Sequence, residues 1–214
     1  MKSKEKKLYL IHGFIKVHVL QQITNNVDIS YVIKKIENTV PKNFFYNIDG
    51  IYIVHIPEFD EREINALHKD GVIYISPDQD DNDDLIDDII HEVAHAVDKY
   101  YEIEIYSDMS IEKEFLGKRM RLFDLLEADG QEPDIFLFKS PHYNRELDDY
   151  FYKSVGYDRL ASHSMGLFVT PYSPTSLGEY FAEAFEEYFI GDRNYLKTIS
   201  PSVYRKIKLI TTME

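Results

Sequence analysis

The sequence predicts an α+β fold, in which a small N-terminal mixed sheet with helices precedes a mainly helical C-terminal part. Two observations support this order. Segments rich in β-forming residues lie before Pro77, and long segments with apolar residues at helical spacing dominate from Asp83 onward. The chain has 214 residues, a length typical of one compact domain. We therefore expect a single domain spanning residues 1–214.

The N-terminal segment only briefly resembles a signal peptide. An apolar run extends from Leu8 to Leu20, but histidines and a lysine interrupt it and no small-residue cleavage site follows. Because residues 7–20 are rich in β-formers with partial alternation, we interpret them as a strand or hairpin broken near Gly13. The basic residues that precede the run are Lys2, Lys4, Lys6 and Lys7.

The next elements follow from local patterns. Residues 28–40 carry apolar side chains at helical spacing and predict a helix. Residues 44–56 predict a strand pair that turns at Asp49-Gly50, and residues 71–76 (GVIYIS) predict a short strand closed by a proline. The latter strand is either an edge strand along which an extended peptide binds or an ordinary core strand.

The strongest helical pattern of the chain covers residues 83–102. An acidic stretch, residues 78–84, leads into it, and negative charge there complements the positive end of the helix dipole. A calcium site is disfavoured because the EF-hand glycine and terminal glutamate are missing. A negative rim that attracts basic substrate segments is the other interpretation. The apolar face of this helix comprises Leu85, Ile86, Ile89, Ile90, Val93 and Val97.

Three further helices are predicted in the helical part. Residues 110–128 predict a helix with Ser110 as its cap, and residues 176–190 predict another that ends before a glycine. The last helix begins at Ser200-Pro201, where a serine cap precedes a proline at the first helical position. Between the helices predicted at 110–128 and 176–190, residues 130–175 contain many aromatic residues and predict loops and short helices.

Composition excludes several classes of protein. The absence of cysteine rules out disulfides, thiolate metal ligands and thiol nucleophiles. With a formal net charge of −14, the chain lacks the positive charge that neutralises phosphates, so nucleic acid is not expected as a partner. No apolar stretch approaches the length of a transmembrane segment. The acidic charge is compatible with a peptide or protein substrate that has basic segments.

The motif that indicates chemistry is HExxH, formed by His91, Glu92 and His95 within the strongest helix. Spacing i, i+4 places the two imidazoles one turn apart on one face, where both nitrogens can bind a single Zn²⁺. Glu92 is adjacent to a ligand but is not itself one, so it can accept a proton from a water on the metal. The alternative is two surface histidines on an amphipathic helix.

A catalytic zinc needs a third protein ligand and an open fourth position. Glu179 is the candidate, and Glu183 lies one turn later on the same predicted helix. One carboxylate can ligate the metal while the other accepts the spare N–H of a ligating histidine. In the alternative interpretation, Ser176 and Glu179 form a capping box and the later glutamates are solvated charge.

These residues resemble the catalytic domain of the anthrax lethal factor family, which includes the clostridial Pro-Pro endopeptidases. The resemblance rests on HEVAHAVDKY at residues 91–100 and EYFAEAF at residues 179–185. It implies a zincin-type active-site helix, one catalytic Zn²⁺ bound by His91, His95 and Glu179, and Glu92 as general base. The family also has a catalytic tyrosine seven residues before the glutamate ligand.

That position is Tyr172 in this chain, which lies outside both of the motif segments. A phenol hydroxyl near the metal can donate to the oxyanion that forms when a peptide carbonyl is attacked. The resemblance further implies that Glu183 contacts a ligating histidine, and that Asp98 has a structural role or a supporting role behind the ligands.

By resemblance, the chain is a zinc metalloendopeptidase that hydrolyses a protein substrate and is secreted. Because no signal peptide is visible, a cytoplasmic location is the alternative. Residues 103–170 form a longer insertion than in the relatives, near the expected cleft, so substrate preference does not transfer. Two other functions remain open: an adaptor domain of this fold that lacks activity, and a peptidase that its insertion autoinhibits.

Overall fold

The computed structural model describes residues 7–213, so Lys2, Lys4 and Lys6 lie outside the described part of the chain. It divides into two compact units, the first ending at Tyr100 and the second comprising Tyr101–Met213. The first unit contains a mixed five-stranded sheet with helices, and the second unit is helical. The predicted α+β class is therefore confirmed, while the single domain over 1–214 stays a prediction.

The sheet of the first unit has the strand order β1-β2-β3-β5-β4. Its central pairs, β2 with β3 and β3 with β5, are parallel, and the outer pairs, β1 with β2 and β4 with β5, are antiparallel. Parallel neighbours require crossover connections, which the helical segments between these strands provide. The strands are β1 (Lys7–Ile11), β2 (Ile15–Val19), β3 (Gly50–Ile53), β4 (Ala66–Lys69) and β5 (Val72–Ile75).

The first two strands form the predicted hairpin, with the break at Gly13. Both His12 and Gly13 have positive φ, at 53° and 77°, so the turn uses a backbone conformation that glycine adopts without strain. Along β2, Ile15 and Val17 are buried and Lys16 between them is exposed. This alternation orients one face of the sheet toward the core of the unit.

The strand pair predicted over residues 44–56 is wrong in its first half. Lys42–Phe45 form a 3₁₀ helix, and only Gly50–Ile53 form a strand. Phe44 and Phe45 are both buried, at 2% and 0% exposure. A strand sends successive side chains to opposite faces, whereas this tight turn allows both rings to enter the core.

The GVIYIS segment forms β5, but the edge-strand interpretation is wrong because β3 and β4 pair with β5 on its two sides. Ile73 and Ile75 are fully buried, as expected for a core strand. The edge beside it is β4, a strand that the sequence pattern did not predict.

Among its described residues the first unit has three α-helices, and two of them match the predictions. The Asp28 side chain caps α1 by accepting hydrogen bonds from the backbone N–H groups of Ser30 and Tyr31, at 2.9 and 3.2 Å. Asp81 similarly accepts from the N–H groups that begin α3, which supports the helix-terminus interpretation of the acidic stretch. The helices are α1 (Ile29–Thr39), α2 (Pro57–Arg62) and α3 (Asn82–Tyr100).

The long helix α3 lies against α1, β4, β5 and the 3₁₀ helix. All six residues of its predicted apolar face are buried. Burial of these side chains, each contributing about 1.5–3 kcal/mol, fixes the rotation of α3 about its axis. The rotation of α3 in turn determines which way its polar residues point.

The second unit begins with α4 and contains seven further α-helices and one π-helical segment, Tyr150–Val155. Ser110 is the first residue of α5 rather than its cap; Asp108 accepts a hydrogen bond from the Ser110 N–H at 2.9 Å. A short helix before the last one was not predicted. The helices are α4 (Glu102–Tyr106), α5 (Ser110–Ala128), α6 (Ile135–Phe138), α7 (Arg145–Asp149), α8 (Tyr157–Ser164), α9 (Leu177–Phe189), α10 (Arg193–Ile199) and α11 (Pro201–Thr211).

A buried polar network joins α5, α9 and α11 within the second unit. The Lys118 ammonium donates to the Tyr180 hydroxyl at 2.8 Å and to the Ser200 hydroxyl at 2.6 Å. The Tyr180 hydroxyl donates to Glu114 at 2.8 Å, and Glu114 also accepts from the N–H of Ser202 at the start of α11, at 2.8 Å. Since Tyr180 lies in the first turns of α9, this network fixes the register of that helix.

Across residues 7–213, we found no helix that combines the length and the hydropathy needed to cross a membrane.

Candidate functional site

The first unit presents the two motif histidines on α3. The ring centroids of His91 and His95 are 4.9 Å apart, with their planes at 76°, and both side chains are half-buried. Their separation follows from the i, i+4 spacing on a regular helix. Because α3 is anchored through its buried apolar face, the two imidazoles are held in fixed relative positions.

Glu92 lies between these histidines in sequence and is only 6% exposed. A carboxylate in this position is sheltered from bulk water, and its neighbours on the helix are Val93 and Ala94, both fully buried. Such a setting suits proton transfer, since a desolvated carboxylate interacts more strongly with a nearby proton donor. Asp98 lies half-buried in the last turn of α3.

One acidic neighbour on α3 was not singled out from the sequence. Asp88 lies one turn before Glu92, and burial, reinforced by the charges of Asp84 and Glu92, raises its pKa to about 6. Gln79 donates a hydrogen bond to Asp88 at 2.9 Å, which opposes the rise. Its position four residues before Glu92 is the sequence feature that could have indicated a place beside the proposed base. Because Asp88 belongs to a run of aspartates, the sequence does not distinguish it from the exposed members of that run.

The second unit presents the candidate glutamates on α9. Ser176 caps this helix, because its hydroxyl accepts a hydrogen bond from the Glu179 N–H at 3.1 Å. This contact uses the backbone of Glu179, so the capping interpretation and a ligand role for its carboxylate are compatible. Glu179, Glu183 and Glu186 share one face of α9 by their spacing, and Glu183 is 9% exposed.

Tyr172 lies in a tightly bonded loop just before α9. Its N–H donates to the Thr170 hydroxyl at 3.2 Å, and its carbonyl accepts from both the N–H and the hydroxyl of Thr175, at 3.0 and 2.9 Å. These bonds hold the backbone on both sides of the ring. Among the described residues the phenol hydroxyl itself has no hydrogen-bond partner, yet it is not enclosed. It is therefore available to a ligand.

The Tyr172 hydroxyl lies within electrostatic range of Glu179. Burial raises its pKa strongly, and the negative charge of Glu179 is the next largest cause, ahead of Asp148. The structure therefore brings together Tyr172 and Glu179, two candidates that were predicted from separate positions in the sequence. A phenol with a raised pKa keeps its proton and remains a hydrogen-bond donor.

Residues of the 103–170 segment contribute to this same cluster, and the sequence did not identify them. The Tyr152 and Tyr172 ring centroids are 6.4 Å apart. Asp148 accepts a hydrogen bond from the Tyr143 hydroxyl at 3.0 Å, and its other carboxylate oxygen is buried without a partner. Burial raises the pKa of Asp148, and Asp149 and Glu179 add to the rise.

By residue type, His91, His95 and Glu179 offer one ligand atom each, an imidazole nitrogen from each histidine and a carboxylate oxygen. This is a donor set that catalytic zinc takes in proteins, with a fourth position left for water or substrate. The histidines belong to the first unit, and the glutamate and Tyr172 belong to the second.

Comparison of the chain with protein-family models, with curated proteins and with solved structures gave no match. The resemblance to the lethal factor family therefore depends on the motif residues alone.

Proposed function

We propose that this chain is a zinc-dependent endopeptidase of the zincin type, in which His91, His95 and Glu179 bind the metal. The observation that carries the proposal is the pair of imidazoles one turn apart on α3, with the buried Glu92 between them. Two histidines and one downstream glutamate match the donor set of zinc peptidases. The substrate is a peptide or protein, and its preferred sequence is left to experiment.

When bound, zinc supplies Lewis-acid chemistry: it polarises a carbonyl and lowers the pKa of water. Glu92 takes the proton of the attacking water and returns it to the leaving amine. Tyr172 donates its phenol O–H to the oxyanion that develops on the substrate carbonyl. Glu183 accepts the spare N–H of a ligating histidine and fixes its tautomer.

The unpaired hydroxyl of Tyr172 supports its proposed role as a donor to the oxyanion. A hydroxyl that already had a protein partner would lose that bond on binding substrate, whereas the Tyr172 hydroxyl has none among the described residues. The loop bonds to Thr170 and Thr175 restrict the backbone before the reaction begins. Such preorganisation lowers the cost of donating to the transition state.

The metal assignment is tested with three variants on one face of α9: Glu179→Gln, Glu183→Gln and Glu186→Gln. Elemental analysis of purified protein and chelator competition measure zinc stoichiometry and Kd. We expect near-stoichiometric zinc in wild type, loss of zinc in Glu179→Gln and a Kd about tenfold weaker in Glu183→Gln. Glu186→Gln should bind zinc as wild type does, and loss of zinc in that variant would instead favour the alternative donor set of His91, Glu183 and Glu186. A wild-type protein that binds no zinc at neutral pH overturns the proposal and favours an adaptor domain.

The catalytic assignment is tested with Glu92→Gln and a mixed peptide library. We expect wild type to cleave a subset of the library, and Glu92→Gln to retain zinc but lose cleavage. Cleavage by Glu92→Gln at the wild-type rate would contradict the role of the general base. Activity that appears only after proteolysis within residues 103–170 would identify that segment as an inhibitor.

A further inference from the structure

The second unit contains another phenol beside the proposed site that no role explains. Tyr152 lies in the π-helical segment that continues α7, and burial is the largest cause of its raised pKa. Asp148, Glu183, Tyr157 and Glu179 add to that rise in pKa, so the ring lies within electrostatic range of two carboxylates of α9. Tyrosines in such positions usually find a hydrogen-bond partner when they are buried.

The Tyr152 hydroxyl has no such partner among the described residues, and it is not enclosed by protein atoms. Two other tyrosines of the second unit use their hydroxyls within the protein, since Tyr180 bonds to Glu114 and Lys118, and Tyr143 bonds to Asp148. The Tyr150 hydroxyl also lacks a partner, but it is buried and a substrate could not reach it. Tyr152 and Tyr172 therefore share two features, an unpaired accessible hydroxyl and a position next to the glutamates of α9.

The two phenols have different neighbours. Glu179 is the charge that acts most strongly on Tyr172, whereas Asp148 and Glu183 act more strongly on Tyr152 than Glu179 does. With ring centroids 6.4 Å apart, the Tyr152 ring lies beside the phenol that is proposed to donate to the reacting carbonyl. A donor at that distance reaches a neighbouring peptide group more readily than the reacting carbonyl.

We propose that the Tyr152 hydroxyl donates a hydrogen bond to a backbone carbonyl of the peptide substrate, one position away from the bond that is cleaved. This inference rests on the proposed peptidase function and assigns a substrate-positioning role to the 103–170 segment. The phenol remains protonated over the working pH range, so the donor is always present. The bond forms in the ground state and persists in the transition state, which defines its kinetic signature.

The test compares Tyr152→Phe with wild type on one library peptide that wild type cleaves. The lost bond is neutral and is equally strong in the ground state and in the transition state. Its removal is therefore expected to raise KM about fivefold and to leave kcat within about twofold. Tyr195→Phe is the matched control, since that tyrosine lies in the second unit, is 37% exposed and is not among the groups that raise the pKa of Tyr152, and we expect its KM and kcat to equal those of wild type. Zinc content should be the same in all three proteins.

Unchanged KM in Tyr152→Phe overturns the inference and leaves the peptidase proposal intact. A fall in kcat without a rise in KM also overturns it, because that result would place Tyr152 at the oxyanion. A wild-type protein that binds zinc but cleaves nothing in the library, both before and after proteolysis within residues 103–170, overturns the peptidase proposal and this inference together. Thermal unfolding of each variant shows that altered kinetics do not reflect loss of the fold.

Discussion

Because Lys118 is buried, the free energy of unfolding is expected to increase with pH in the alkaline range. Burial lowers its pKa from 10.5 to about 8, and the charge of Glu114 only partly offsets this. Between these two pKa values the unfolded chain holds the lysine proton and the native protein has released it. The free energy of unfolding therefore rises as pH increases above about 8.

The size of the effect follows from the two pKa values. With a pKa of about 8 in the native protein and 10.5 in the unfolded chain, the linkage relation gives a gain of up to about 2 kcal/mol between pH 7 and pH 9.5. The range ends at pH 9.5 because tyrosines in the unfolded chain ionise near pH 10. Tyr180, whose pKa burial raises strongly, opposes the gain above that point.

Urea unfolding at several pH values measures this dependence in wild type, Lys118→Met and Lys113→Met. Met at position 118 keeps much of the side-chain volume and removes the buried charge, so we expect the rise in unfolding free energy to disappear. Lys113 is an exposed lysine on the same helix, and its substitution should leave the rise intact. If wild type and Lys118→Met gain equal stability between pH 7 and pH 9.5, the burial argument is refuted.

Two further predictions concern the second unit. Tyr172→Phe should lower kcat/KM by about 10²-fold without changing zinc content, because it removes one donor to the oxyanion; unchanged kinetics on a library peptide would exclude this role. Arg119 is fully buried and donates to the carbonyls of Leu137 and Ser140. Arg119→Met should therefore reduce the free energy of unfolding by about 3 kcal/mol, since it leaves two carbonyls unpaired. Arg121→Met, at an exposed position of the same helix, serves as the control in urea unfolding.

The sequence predicts well where a pattern is local. The prediction of α3 is confirmed because its apolar side chains repeat with the helical period. The predicted hairpin that contains β2 is confirmed because residues 7–20 are rich in β-forming residues with partial alternation. Failures occurred where tertiary packing overrides local preference. Phe44 and Phe45 are good β-formers, yet both enter the core from a 3₁₀ turn. The short strand β4 has no alternating pattern, and only its pairing with β5 makes it a strand.

In the candidate site, too, local spacing could be predicted from the sequence and tertiary packing could not. The spacing of His91 and His95 within one helix determines their separation, so the sequence was sufficient to predict it. Tyr152 could not be found in this way, because its closeness to Tyr172 and Glu179 arises from the packing of separate segments. Seventeen tyrosines in the chain give no local sign of which hydroxyl lacks a partner.

The buried network of Glu114, Lys118, Tyr180 and Ser200 has a consequence for how this chain can evolve. Losing one member leaves a charge or a hydroxyl without its partner, and losing Glu114 also removes the acceptor of the Ser202 N–H at the start of α11. Single substitutions at these sites are therefore expected to be destabilising. Among descendants of a common ancestor, these four sites should be inherited as one unit or replaced as one, and substitutions at any of them should be rare outside such joint changes.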